Sequence, residues 1–163
     1  MTTTFADTLN QIHADPDTVQ QGLRLYLSEQ TGDLTPREML AELKAAAFDP
    51  AELERELKRV ENDPAVLNQA ALLSLNSAWD DPESRESVEA SLRHAKESLP
   101  VIELGIIAIV AMYAMYRAIP AQPVKVKVTT EWDGKGKYVQ KKEVEHEGFL
   151  PIASVMTKLF KGR

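Results

Sequence analysis

Residues Val101 to Ile119 read VIELGIIAIVAMYAMYRAI, bracketed by Pro100 and Pro120. Between Leu104 and Tyr116 there is no charged residue. Its alanines and methionines favour helix, and Gly105 is its one poor helix former. A helix that is apolar all round has to be buried, in protein or in lipid. At about 1.5 Å per residue the whole stretch is roughly 28 Å long, close to the hydrocarbon thickness of a bilayer. Its strictly uncharged part, from Leu104 to Tyr116, is shorter and better suited to a buried core helix.

Details inside the stretch point both ways. Tyr113, Tyr116 and Arg117 form the kind of group that anchors a helix at a headgroup layer, with the arginine snorkelling. Gly105, Ala108, Ala111 and Ala114 recur every three residues. Such a row drifts slowly round a helix and makes a slanted groove in which a second backbone can pack closely. Self-association of the helix is therefore an expectation. Glu103 complements the positive end of the helix dipole, or makes a polar contact inside an oligomer. The flanking charges give no clear membrane orientation: Arg85, Arg93 and Lys96 precede the stretch, while Arg117, Lys125 and Lys127 end or follow it.

Working outward, the chain of 163 residues suffices for one domain of ordinary size. Its net charge of −6 is unevenly spread. Residues 1–97 hold 19 acids and 9 bases, a balance of −10; residues 98–163 hold 6 acids and 10 bases, a balance of +4. An acidic surface repels nucleic acid and anionic lipid. Cysteine is absent, so neither disulfides nor thiolate chemistry is available. The opening MTTTFADTLNQ has neither a basic nor an apolar leader segment, so secretion by a signal peptide is not expected. The expected location is the cytoplasm or an inner-membrane surface.

Five dipeptides punctuate the acidic part: Asp15-Pro16, Thr35-Pro36, Asp49-Pro50, Asp63-Pro64 and Asp81-Pro82. The Asp or Thr oxygen accepts from an orphan N–H of the first turn, and proline at the first helical position lacks only an N–H that would be unpaired there. Glu38 and Glu52, three residues after Thr35 and Asp49, predict capping boxes. The spacing predicts helices over 16–30, 36–47, 50–61, 64–79 and 82–98, with a short one before His13. The fifth of the six, Pro64 to Trp79, is the most apolar and is expected to be central. Beyond the apolar helix, Val124 to Trp132 alternates valine and polar residues, the pattern of a half-buried strand. Asp133-Gly134-Lys135-Gly136 suits a hairpin turn, and Tyr138 to Glu145 a second strand. Phe149 to Phe160 is expected to be a closing amphipathic helix, with Ile152, Val155, Met156, Leu159 and Phe160 apolar.

The expected fold is mainly α: an acidic bundle of five or six short helices (1–97), a long apolar helix that is transmembrane or core (98–121), then a basic β-hairpin and C-terminal amphipathic helix (122–163). No nucleophile, base and orienting group share a visible pattern. His13, His94 and His146 lie far apart in polar contexts. Enzyme activity, a metal site and a cofactor are not expected, and the lysine-bearing hairpin has too few exposed aromatics to argue for nucleic acid. The expectation is a non-enzymatic interaction protein whose partner is a protein or its own copy. Its acidic module is tethered to a membrane-embedded or self-associating helix, as in an oligomerising membrane effector. The alternative is a wholly soluble helical adaptor or structural subunit with the apolar helix as core.

Overall fold

The chain's helices begin where its caps lie. The computed structural model describes residues 3–97, 104–118, 126–132, 134–144, 156, 159 and 160. Helix α1 (Phe5–Ile12) starts at Thr4, whose hydroxyl accepts from the Asp7 N–H while the Asp7 carboxylate accepts from the Thr4 N–H. Helices α2 (Pro16–Thr31), α3 (Pro36–Ala46), α4 (Pro50–Glu61) and α5 (Pro64–Trp79) each carry proline in the first turn behind the expected Asp or Thr cap. Thr35 and Glu38 form the expected capping box. Asp49 instead accepts from the Ala51 N–H. Gly32 ends α2 in the left-handed conformation that glycine adopts without steric cost.

The sixth helix begins later than the Asp81-Pro82 signal implies: α6 is Arg85–Glu97. Asp81 is spent on a turn, accepting from the Glu83 N–H and the Ser84 hydroxyl, each at 3.1 Å. The first helical bond runs from the Val88 N–H to the Ser84 carbonyl. A proline preceded by aspartate thus marks a turn here and a helix start elsewhere.

Helix α7 (Leu104–Ala118) holds the centre of the apolar stretch. It packs against α2, α3, α4 and α5. Ile107, Val110, Met112 and Met115 are all at most 3% exposed. Burying side chains of this size stabilises by about 1.5–3 kcal/mol each. Together that is on the order of 10 kcal/mol, comparable to the net stability of a whole domain. Among the described residues no helix is long and apolar enough to cross a membrane, which removes the support for a transmembrane helix. The chain is mainly α, with seven helices among the described residues.

Helix α6 lies along α2, and a glycine makes that possible. A Cβ built on Gly22 would stand 2.6 Å from Leu92 Cδ2 and 3.4 Å from Leu92 Cα. Strands β1 (Val126–Trp132) and β2 (Tyr138–Val144) pair antiparallel, with Trp132 opposite Tyr138. Two side-chain links tie them to helices. The Thr130 hydroxyl donates to Asn76 Oδ1 on α5, and the Asn10 amide of α1 exchanges two hydrogen bonds with the Tyr138 backbone, at 2.8 and 3.0 Å. Because the Tyr138 N–H and C=O point at Asn10, they point away from β1, so α1 covers part of the outer edge of β2. The Phe48 N–H, in the α3–α4 connection, donates to the Leu159 carbonyl at 3.2 Å. Met156, Leu159 and Phe160 are buried, and the Phe160 N–H bonds back to Met156, one helical turn. The rest of the expected C-terminal helix, Glu103 and His146 lie outside the described residues.

Candidate functional site

The C-terminal half of α7 gathers most of the residues that the sequence singled out. Tyr113 is 1% exposed, and its hydroxyl donates to the Glu42 carboxylate of α3 at 2.7 Å. Burial raises its phenol above the ordinary range; the bond to Glu42 acts the same way, and Arg117 opposes. The Arg117 guanidinium stands 5.9 Å from the Tyr113 ring centroid. Tyr116 packs on Phe160 with ring centroids 4.9 Å apart. The pattern read as a headgroup anchor therefore knits α7 to α3 and to the C-terminal segment. Long side chains with polar ends serve either purpose, and the Glu42 carboxylate supplies the partner for the phenol that a headgroup layer would have supplied.

The small residues are used within the same chain. Ala108, Ala111 and Ala114 are at most 5% exposed, and Gly105 lies in the first turn of α7. Short side chains on this helix let four neighbouring helices approach one backbone.

Between α2, α5 and α7 lies a cleft of about 270 Å³. Its floor is apolar: Leu23 and Leu27 from α2, Ala114 from α7 and the half-buried Ala78 from α5. Gln30, Ser77, Asp81 and Arg117 stand exposed at its rim. Ser74, also in the wall, spends its hydroxyl on the Ala70 carbonyl. Among the described residues, Arg117 is the one cationic side chain lining the cleft. Among the described residues no carboxylate forms an ion pair with it.

Elsewhere the titratable groups serve the fold. His13 ends α1 in the left-handed conformation, with its carbonyl accepting from Lys96 Nζ at 2.9 Å. Burial works against ionisation of Asp15, but bonds from the Thr18 N–H and hydroxyl, with the Lys96 charge, hold its carboxyl below the usual range. Burial raises the Tyr138 phenol strongly, with the Asp15 charge adding to it. Glu54 pairs with Lys44 across the α3–α4 corner at 2.9 Å, an exposed contact worth little by itself. No group of three metal-binding side chains occurs among the described residues.

Three contributors escaped the sequence reading: Glu42, Asn10 and Gly22. Glu42 and Asn10 act through partners more than 70 positions away. Gly22 alone carried a local signal, as an isolated glycine inside a regular helix. No protein family matches the chain, and comparison with curated proteins and with solved structures finds no match to either.

Proposed function

We propose that this chain is a non-enzymatic helical interaction protein, an adaptor or structural subunit with the apolar helix as its own core. One observation carries the reading: the large side chains of α7 are covered by α2, α3, α4 and α5 of the same chain. A membrane effector would have to expose that face, at a cost on the order of 10 kcal/mol. The architecture proposed with it is a helical bundle threaded by the apolar helix, with a β-hairpin and a C-terminal amphipathic helix closing it. The binding surface is then the acidic exterior of residues 1–97, whose balance of −10 suits a basic protein partner and disfavours nucleic acid. Contact between copies, where it occurs, uses exterior residues, because Ala108, Ala111 and Ala114 are already buried.

The test is fractionation of the expressed full chain, followed by light scattering of the soluble fraction. The expected result is a well-behaved species without detergent, with nothing held in membranes through a carbonate wash. Carbonate-resistant membrane material that oligomerises on solubilisation would overturn the reading in favour of a membrane effector.

A further inference from the structure

We infer that the α2–α5–α7 cleft binds a small organic monoanion, a carboxylate carried on an unbranched apolar body. Three features of the cleft select that chemistry.

The first is size. About 270 Å³ corresponds to roughly nine waters at the ~30 Å³ share of liquid volume, so it takes on the order of ten heavy atoms. That is near the lower limit of ligand sites, which run from about 300 Å³ upward.

The second is the floor. Leu23, Leu27 and Ala114 form its nearly closed base, and the half-buried Tyr26 and Ala78 carry the apolar surface that a hydrocarbon body placed there would remove from water.

The third is the charge at the mouth. The two rim charges are Arg117 and Asp81, and they are differently committed. Both Asp81 carboxylate oxygens accept hydrogen bonds within their own turn, from the Glu83 N–H and the Ser84 hydroxyl. Arg117 rests over the ring of Tyr113 and donates to its hydroxyl, which itself donates to Glu42, so part of its donor fork is held by the fold and the rest faces the cleft. The guanidinium is thus positioned by stacking and by that hydrogen bond, and its remaining donors match a carboxylate. With one cation among the described lining residues and Asp81 at the same mouth, a dianion or polyphosphate would meet repulsion without a second countercharge. A monocarboxylate has the one charge the site can pair.

Octanoate is the probe, with octanol as its uncharged counterpart, both titrated into the full chain and followed by amide NMR. Octanoate should bind in the millimolar range and perturb the amides of Leu27, Ala78, Ala114 and Arg117. Octanol should bind at least about tenfold more weakly, the loss of one charge-assisted interaction. Arg117→Gln should bring octanoate down to the octanol level while the melt stays cooperative, lowered only by the lost contact with Tyr113. Ser77→Phe, on the exposed face of α5, should close the mouth and abolish binding of both. Equal binding of octanoate and octanol to the wild-type chain would overturn the inference, as would undiminished octanoate binding by Arg117→Gln or Ser77→Phe. So would perturbations confined to another part of the fold, or no binding at all. A peptide ending in an apolar residue that displaced octanoate at far lower concentration would assign the site to a protein C-terminus instead.

Discussion

Replacing Gly22 with alanine sets two known effects against each other at one atom. In an isolated helix the change is favourable by about 1 kcal/mol, because glycine is the more flexible residue. In this fold the new methyl would lie 2.6 Å from Leu92 Cδ2 and 3.2 Å from Leu92 Cγ. Carbon atoms in good contact stand about 3.5–4.0 Å apart, so the overlap is near 1 Å. Leu92 is fully buried, so its side chain has to shift within the core to admit the methyl. Overpacking of this kind costs about 1–3 kcal/mol. The net expectation is a loss of about 1 kcal/mol, a fall of roughly 2–4 °C in melting temperature for a chain of this size. The decisive comparison repeats the substitution in a Leu92→Ala background. That change alone costs about 2–5 kcal/mol, but it empties the space the methyl needs. There Gly22→Ala should stabilise by about 1 kcal/mol, the helix preference alone. The assay is urea denaturation followed by far-UV circular dichroism, read as a double-mutant cycle. Equal stabilisation in both backgrounds would refute the close α2–α6 approach.

Other outcomes follow from the same geometry. Asn10→Ala should cost about 1–3 kcal/mol, because the Tyr138 backbone loses both of its partners on α1, and amide exchange at Tyr138 should accelerate; unchanged exchange there would count against the link. Tyr113 and Tyr138 both hold their protons above the ordinary phenol range, burial being the larger cause for each. Their unfolded forms ionise first, so stability should be full below about pH 10 and fall as pH rises toward the raised folded-state values. Urea midpoints across that range should show the fall, with a shallower slope in Tyr113→Phe; identical slopes would contradict it. Residues 1–97 expressed alone lose the helix that covers α2, α3, α4 and α5, so they should give a non-cooperative melt, and a sharp cooperative one would mean that the bundle has a sufficient core without α7.

The helices were legible because their signals are local. Asp15, Thr35, Asp49 and Asp63 each cap a helix whose first turn holds proline, and the start can be read within four residues. Asp81 misled because the same dipeptide also stabilises a turn, and only the Ser84 contacts separate the two outcomes. The destination of the apolar stretch was not legible. Composition requires Ile107, Val110 and Met112 to leave water but does not say whether lipid or protein receives them. The cleft was half visible: Ala114 and Arg117 drew attention, while Leu23, Ala78 and Asp81 join them only through packing of distant segments. Glu42 reads as an ordinary helix-surface acid until the Tyr113 hydroxyl is seen to reach it.

Hydrogen exchange of the full chain, without detergent or lipid, tests most directly whether α7 is the interior of this protein. Amides from Ile107 to Met115 belong to residues almost all buried among four other helices. They should exchange only through global unfolding, as slowly as those of α5, and added vesicles should leave their rates unchanged. Fast exchange in buffer that slows only when vesicles are supplied would contradict it.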